Sequence, residues 1–192
     1  MLRSKRRNRV STNEIDVALR PIVLYPDPVL LEPTRPVAVV DDEVRALVRD
    51  MVDTLYAAPG IGLAANQIGV RLRVCIIDLS AGDRTGELTV LINPVVRETA
   101  GSDVGEEGCL SFPQITLDIE RPWQATVEHL DLDGKRRTKS AEGMLARAML
   151  HEIEHLDGQT FLRNVSTARR ELVKRRIRKL IKAGDWVSAV AP

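Results

Sequence analysis

The sequence predicts an α+β fold, in which small antiparallel or mixed sheets pack around a central helix and another helix lies near the C-terminal end. Segments with helical periodicity are found near the two ends, whereas strand-like segments are grouped between them and do not alternate regularly with helices. No internal repeat or low-complexity linker divides the chain. Its 192 residues, 44% of them hydrophobic, are enough for one core. We therefore expect a single domain over 21–192.

The first half of this domain contains one helix and several strands. A helix is predicted over 42–57, where apolar residues recur at helical spacing after a possible N-cap at Asp41. The loop GIGLAANQIGV (60–70) follows, and its three glycines allow the backbone to approach a ligand closely. Strands are predicted at 70–79, 88–96 and 115–120.

The second half contains a hairpin and two helices. The segment ATVEHLDLDGK (125–135) is typical of a hairpin arm, because its DG dipeptide favours a tight turn. A helix is predicted over 140–157 with Gly158 beyond its end, and a last helix over 167–183 before Gly184. These two helices complete the predicted fold.

Charge is distributed unevenly, although the net charge is only +1. Residues 1–20 carry six basic and two acidic groups with no apolar region behind them, so we expect a flexible basic extension and no secretory signal. The body, 21–168, has fourteen basic against twenty-three acidic groups, whereas 169–182 has eight basic and one acidic. The terminal helix is therefore a candidate for docking onto an anionic partner, and a solvated helix face is the alternative.

The composition also bears on location. No apolar run approaches the 18 or more residues of a membrane span, so no membrane partner is expected and a cytoplasmic location is the default. Aromatic residues make up only 3% of the chain and none lies within 169–182, which gives base stacking little support. We expect no DNA partner.

The segment AMLHEIEHLDG (148–158) contains two of the three histidines in the chain. On a helix, positions i and i+4 share a face, so His151 and His155 can offer ring nitrogens to one cation. Glu152 then lies beside the cation, where its carboxylate can take a proton from an attacking water and pass it to a leaving group. This HExxH pattern predicts a metal-dependent hydrolase, and a surface helix with two solvated histidines is the alternative.

A catalytic metal usually has three protein ligands and one open position, so a further donor is expected. His129 lies in an alternating strand, where an ordinary half-exposed ring is the simpler interpretation. Cys75 lies in the apolar run RLRVCIIDL, which predicts a buried strand and an unreactive thiol. Cys109 lies in GEEGCLSFP, among glycines and a proline that favour irregular backbone near a ligand, and it is the most economical third donor.

Three separated segments resemble the signature motifs of one enzyme family. GIGLAANQIG (60–69), EEGCLSFP (106–113) and HEIEHLDG (151–158) are similar, in order and separation, to the three motifs of peptide deformylases. YPDPVL (25–30) and the LDLDGK turn also resemble that family, so the likeness covers about 21–165. The chain departs from the commoner proline, glutamine and aspartate of the family pattern at Asn66, Leu150 and Glu154.

The resemblance implies hydrolytic removal of the N-formyl group from the initiator methionine of nascent peptides, with release of formate. It implies one divalent metal ion held by Cys109, His151 and His155. Ferrous iron is the metal that the family is understood to use, which favours Fe(II), although Zn, Ni and Co also accept cysteine and histidine ligands. Docking near the ribosome through helix 167–183 is similar to what some bacterial family members do.

The resemblance also implies roles for residues around the metal. Glu152 would be the general acid and base, while Gln67 would give a side-chain NH and Leu110 a backbone NH to the oxyanion. Separately from the resemblance, Glu107 is expected to anchor the loop that carries Cys109 by pairing with a basic group such as Arg147, and a solvated carboxylate is the equal alternative. Because they share a helix face with His151 or belong to the first motif, the candidate substrate-binding residues are Ile61, Gly62, Met144, Arg147 and Ala148. Plain core packing is an equal alternative for Met144 and Ala148.

Two other functions remain open at this point. A zinc endopeptidase would use the same HExxH helix, but it would not need a thiol and would cleave internal peptide bonds. A ribosome- or RNA-binding module with a structural metal would rest on the basic terminal helix. Loss of activity on blocking Cys109 would separate the deformylase from the endopeptidase.

Overall fold

The structure is a computed structural model that describes residues 19–84, 87–188 and 190. The expected flexible extension over 1–20 lies outside the described residues except at its end. There, Arg20 pairs with Asp50 at 2.7 Å, and its backbone NH donates to Thr54 Oγ1 at 3.0 Å. Within the described ranges, no helix combines the length and apolar character needed to cross a bilayer.

The described residues form three α-helices and seven strands, joined by short 3-10 helices. In chain order the main elements are α1 (Asp42–Tyr56), β1 (Gly62–Ala64), β2 (Val74–Ile77), β3 (Thr89–Ala100), β4 (Asp103–Gly108), β5 (Thr116–Arg121), β6 (Gln124–Leu130), β7 (Arg136–Glu142), α2 (Gly143–Leu156) and α3 (Thr167–Ala183). The predicted N-cap of α1 is confirmed, because the Asp41 carboxylate accepts from the Val44 NH at 3.0 Å.

Two antiparallel sheets build the fold around α2. The larger sheet has the strand order β1-β2-β3-β6-β7, and the smaller one consists of β4 and β5. Strand β2 lies between two of the apolar clusters. Its Val74 and Ile76 side chains belong to the apolar cluster that includes α1, whereas Cys75 and Ile77 pack with Met149 and other residues of α2. The predicted α+β fold is confirmed, the HExxH residues lie within α2, and Cys75 is buried in a strand as expected.

The predicted hairpin is also confirmed. β6 pairs with β7 from Gln124↔Glu142 to Leu130↔Arg136, and the Asp131 NH donates to the Lys135 carbonyl at 2.9 Å across the turn. Gly134 adopts a φ of 75°, the left-handed conformation that favours glycine at such a turn.

Several predicted boundaries were wrong, in each case because tertiary pairing decides the local structure. The strand predicted at 70–79 is confined to Val74–Ile77, since 71–73 instead exchange backbone hydrogen bonds with Arg35. The strand predicted at 88–96 continues to Ala100 because it pairs with β6 as far as Gln124. The helix predicted from 140 begins at Gly143, since 140–142 complete β7.

The C-terminal helix α3 has the predicted bounds, 167–183. Ser166 caps its start, and Gly184 ends it in the left-handed conformation with a φ of 79°. On its inner face, Val173 and Ile177 are buried in an apolar cluster that also contains Phe112, Ile115, Ile119 and Phe161. This packing places α3 against β5 and against the loop that follows β4.

Candidate metal centre and active site

The HExxH histidines lie on the buried face of α2. His151 is 8% exposed and His155 is 1% exposed. Cys109 follows directly after β4, and its Sγ atom lies 3.2 Å from His155 Nε2. Burial, followed by the neighbouring His151 and Arg121 charges, lowers the pKa of His155 well below its usual value, so its ring is neutral and able to ligate.

Cys109, His151 and His155 each present a ligand atom, and these three atoms lie within 4.8 Å of one another. One thiolate and two imidazoles are a donor set that suits Fe, Zn, Ni or Co, and three protein ligands leave a position for water or substrate. The residues present therefore fit a catalytic divalent cation. His129, the other histidine, does not belong to this group; its Nδ1 atom lies 3.0 Å from the Leu130 carbonyl at the end of β6.

Glu107, at the end of β4, orients one of the histidines. Its Oε2 atom lies 3.0 Å from His151 Nδ1, which leaves the opposite ring nitrogen free for a metal. The predicted pair with Arg147 is present at 2.8 Å, and Arg121 binds the same carboxylate at 2.5 and 2.9 Å. Although burial favours the neutral acid, hydrogen bonds from His151 and Arg121 lower the pKa of Glu107 to about 2.

Arg121 is a residue of the site that the sequence did not single out. Its side chain is 4% exposed and bridges Glu107 to Glu154 of α2. The sequence does contain a pattern that could have identified it. Leu117, Ile119 and Arg121 stand at alternate positions of β5, and all three are buried. Period-two alternation therefore points Arg121 inward, where a charged group needs partners.

Glu152 lies next to His151 with a buried carboxylate. Burial is the main cause that raises its pKa to about 7, with the Glu107 charge adding to it, while His151 and Arg121 oppose the shift. Within the described chain, its Oε2 atom has no hydrogen-bond partner. Gly62 contacts the other side of this carboxylate, and a Cβ at Gly62 would lie 3.0 Å from Glu152 Cδ. The glycine of the first motif thus makes room for the acid of the third.

Gln67 is held in a single orientation. Its Oε1 accepts from the Ala64 NH at 2.8 Å, so its amide NH₂ must face the other way. Nε2 lies 3.5 Å from Cys109 Sγ and donates to Ser111 Oγ at 3.2 Å. Leu110, which lies between Cys109 and Ser111 in the chain, packs its side chain over Gly60. Two candidate donors, the Gln67 amide and the Leu110 backbone NH, therefore flank Cys109.

A cavity of about 600 Å³ opens beside these groups, in the size range of small-molecule sites. All five candidate substrate-binding residues line it. Met144 is 54% exposed at its mouth, whereas Arg147 is buried and its guanidinium binds Glu107 and the Ile119 and Asp103 carbonyls. The lining residues that bear on the chemistry are Ile61, Gly62, Gln67, Cys109, Leu110, Met144, Arg147, Ala148, His151 and Glu152.

An HExxH helix at a cavity, with a cysteine completing the donor set, defines a metallohydrolase. Comparison with known proteins identifies the family within this class of enzymes. Residues 19–171 match the sequence profile of the family described as polypeptide deformylase. The chain belongs to this family and is an enzyme.

Relatives and solved structures of this family match about nine-tenths of the chain. A peptide deformylase from Acidobacterium capsulatum is 48% identical over 168 residues, which are 88% of this chain and 99% of that protein. The crystal structure of a peptide deformylase from Legionella pneumophila matches with a TM-score of 0.81 and 36% identity over 91% of this chain and all of that one. The Synechococcus elongatus enzyme in complex with actinonin matches with a TM-score of 0.78 and 38% identity, covering 91% of this chain and 93% of that one.

Proposed function

We propose that this chain removes the N-formyl group from the N-terminal methionine of nascent polypeptides and releases formate, the reaction of the family to which it belongs. The observation that carries this proposal is the convergence of Cys109, His151 and His155 at a cavity whose wall holds the buried Glu152 carboxylate. The products are formate and a free α-amine, so one water is consumed for each C–N bond broken.

Cys109, His151 and His155 are proposed to hold one divalent cation, and Fe(II) is the proposed physiological metal, with Zn, Ni and Co as alternatives accepted by the same ligands. When bound, the cation supplies Lewis-acid polarisation of the formyl carbonyl and lowers the pKa of the attacking water. Glu107 would hold the His151 ring in the ligating orientation through the hydrogen bond at Nδ1.

Glu152 is proposed to move the proton. Its carboxylate takes a proton from the attacking water and then gives it to the amine nitrogen as the C–N bond breaks. Burial raises the pKa of this carboxyl above its usual value, towards the range that suits a general acid and base at neutral pH.

Gln67 and Leu110 are proposed to stabilise the charge that develops on the formyl oxygen. The Gln67 amide is prearranged by the Ala64 NH, so its donors need no reorganisation during the reaction. Loss of one such donor typically lowers kcat by about 100- to 1,000-fold. We expect Gln67→Ala to show a loss of this order.

The methionine side chain is proposed to occupy the cavity along the α2 face. Ile61, Gly62, Met144 and Ala148 present small or apolar surface there. The guanidinium of Arg147 is already bound to Glu107 and to backbone carbonyls, so we propose that its aliphatic stem, and not its charge, faces the substrate.

The test is formate release from formyl-Met-Ala-Ser by protein purified without oxygen. Cys109→Ser and Glu152→Ala should each abolish nearly all of it, whereas His129→Ala, which changes the histidine outside the ligand group, should retain it. A parent protein that binds metal but releases no formate would overturn the proposal. Activity on internal peptide bonds that persists in Cys109→Ser would identify an endopeptidase instead.

The terminal helix α3 is proposed to dock on the ribosome, which would place the enzyme in the cytoplasm beside its substrate. Arg175, Arg178 and Lys179 are exposed on this helix. Reversing these three charges should abolish pelleting with ribosomes at moderate salt, because phosphate contacts are electrostatic. The matched control reverses three charges on β7 and in the turn before it, at Lys135, Arg136 and Lys139, and equal pelleting of the two variants would exclude the helix as the docking element.

A further inference from the structure

The loop that follows β4, residues 109–115, carries both Cys109 and Leu110 and is contacted by the two ends of the described chain. On the N-terminal side, the Tyr25 NH donates to the Ser111 carbonyl at 3.0 Å. The Tyr25 ring also stacks on Phe112, with the ring centroids 4.8 Å apart. Tyr25 therefore fixes the backbone of the loop one residue after Leu110.

Residues near the C-terminal end contact Tyr25 and the same loop. The Trp186 indole NH donates to the Tyr25 carbonyl at 2.7 Å. The Trp186 ring packs against the apolar cluster that contains Phe112. The neighbouring Asp185 carbonyl accepts from the Gln114 side chain at 3.1 Å. Gln114 lines the cavity and has a φ of 61°, a backbone conformation that an L-residue adopts only when its surroundings hold it there.

The end of α3 determines where Trp186 lies. Gly184 reverses the chain in the left-handed conformation, and the Asp185 NH donates back to the Leu180 carbonyl at 3.0 Å. Val173 and Ile177 anchor the helix in the same cluster as Phe112 and Phe161. The segment 185–186 therefore follows a helix that is anchored in this cluster, and its hydrogen bonds to Tyr25 and Gln114 tie the loop to that helix.

We infer that Trp186 is a positioning residue of the active site, which acts by holding Tyr25 and, through it, the loop that carries the Leu110 backbone NH. The Trp186 indole NH donates to the Tyr25 carbonyl, and the Tyr25 NH donates to the Ser111 carbonyl. The backbone of Tyr25 therefore connects Trp186 to the loop. Placing an oxyanion donor correctly is a requirement of the transition state more than of substrate binding. This inference rests on the proposed function, in which Leu110 serves as such a donor.

The test compares Trp186→Phe with Val187→Ala. The phenylalanine retains an apolar ring in the cluster but cannot donate to the Tyr25 carbonyl, whereas the adjacent Val187 is 61% exposed and serves as the matched control. With formyl-Met-Ala-Ser, Trp186→Phe should lower kcat by about threefold to tenfold with KM within about twofold, which is less than the roughly 100-fold loss of a whole oxyanion donor. Trp186→Ala should lower kcat further.

Amide hydrogen exchange of 110–115 supplies a readout that does not depend on turnover. Exchange in this loop should be faster in Trp186→Phe than in the parent and in Val187→Ala, while exchange in α2 stays the same. Unchanged loop exchange overturns the inference, and so does faster exchange with an unchanged kcat. If the parent itself releases no formate, the proposed function fails, while the exchange data still decide whether Trp186 holds the loop.

Discussion

At the scale of single residues, Gly62 shows how closely the first and third motifs are fitted. An added methyl group would collide with the Glu152 carboxylate, lying 3.1 Å from its Cγ and 3.0 Å from its Cδ. Gly62→Ala should therefore displace the carboxylate and lower kcat by at least about tenfold, since small displacements of catalytic groups are costly. Steady-state formate release measures this effect.

A double-mutant cycle separates this collision from a general effect on the strand. In the parent, this collision should make Gly62→Ala destabilise the fold. In the Glu152→Ala background the collision partner is absent, so Gly62→Ala should no longer do so. Denaturant unfolding of the four proteins gives the coupling free energy. An equal cost of Gly62→Ala in both backgrounds would show that the glycine serves the strand and not the carboxylate.

Asp78, just beyond β2, is a second residue with a measurable consequence. Its buried carboxylate accepts from Tyr56 Oη at 2.7 Å, from Ser80 Oγ at 2.7 Å and from the Ser80 NH at 2.9 Å. Burial raises the pKa of Asp78, but these hydrogen bonds outweigh burial and the net shift is downward. A lowered folded pKa stabilises the protein above the unfolded value near pH 4, and this contribution is lost as the pH falls further.

Asp78→Asn should therefore lower the free energy of unfolding at pH 7 by about 1 to 3 kcal/mol, because the amide has one acceptor oxygen where the carboxylate has two, so either Tyr56 or Ser80 loses its acceptor. The deficit relative to the parent should shrink as the pH falls below about 4, because the unfolded parent then takes up a proton at Asp78 before the folded parent does. Urea unfolding at pH 7 and pH 3 tests both statements. A deficit that is the same at the two pH values would contradict them.

At the scale of elements, Glu107 joins β4 to β5 and to α2. It pairs with Arg121 of β5 and with Arg147 and His151 of α2, and its side chain is 4% exposed. Glu107→Gln removes the carboxylate that two buried guanidiniums share and leaves them only Glu154 and Asp103 as charged partners, which should cost about 1 to 3 kcal/mol. It should also weaken metal affinity by about 10- to 100-fold, since the amide no longer orients His151 in the same way.

The matched control for this element-scale prediction is Glu128→Gln. Glu128 pairs with Arg97 at 2.7 Å on the surface, with side chains about half exposed. Such a pair contributes roughly 0 to 1 kcal/mol. Chelator competition and urea unfolding should therefore separate the two variants clearly, and equal effects would show that burial of the Glu107 network is unimportant.

The elements also show how far the sequence determined the fold. α1 and α3 were predicted within a residue because periodicity, caps and terminal glycines all act locally. β1 and β4 were not predicted, because Gly62–Ala64 and Asp103–Gly108 lack an apolar alternating pattern and become strands only by pairing with β2 and β5. The candidate ligands Cys109, His151 and His155 followed from spacing and resemblance, whereas the Trp186 contact with Tyr25 joins residues 161 positions apart and left no local signal.

At the scale of the whole molecule, the proposed metal ligands connect separate parts of the core. Cys109 follows the small sheet, whereas His151 and His155 lie on α2, which packs against the large sheet. A bound cation therefore crosslinks the two sheets through α2. Since the unfolded chain does not bring these ligands together, metal binding should stabilise the native state by mass action.

Removing the metal with a chelator should consequently lower the thermal unfolding midpoint. At a free metal concentration of 100 times Kd the stabilisation is about 2.7 kcal/mol, which corresponds to roughly 5 to 10 °C for a chain of this size. Titration of the apo protein with Fe(II) without oxygen, and with Zn, Ni or Co, should restore the midpoint.

Cys109→Ser and His151→Ala should abolish most of this metal-induced increase in the unfolding midpoint, while His129→Ala retains it. An increase of the same size in Cys109→Ser would mean that the cation binds elsewhere, and the assignment of Cys109 as a ligand would then be wrong.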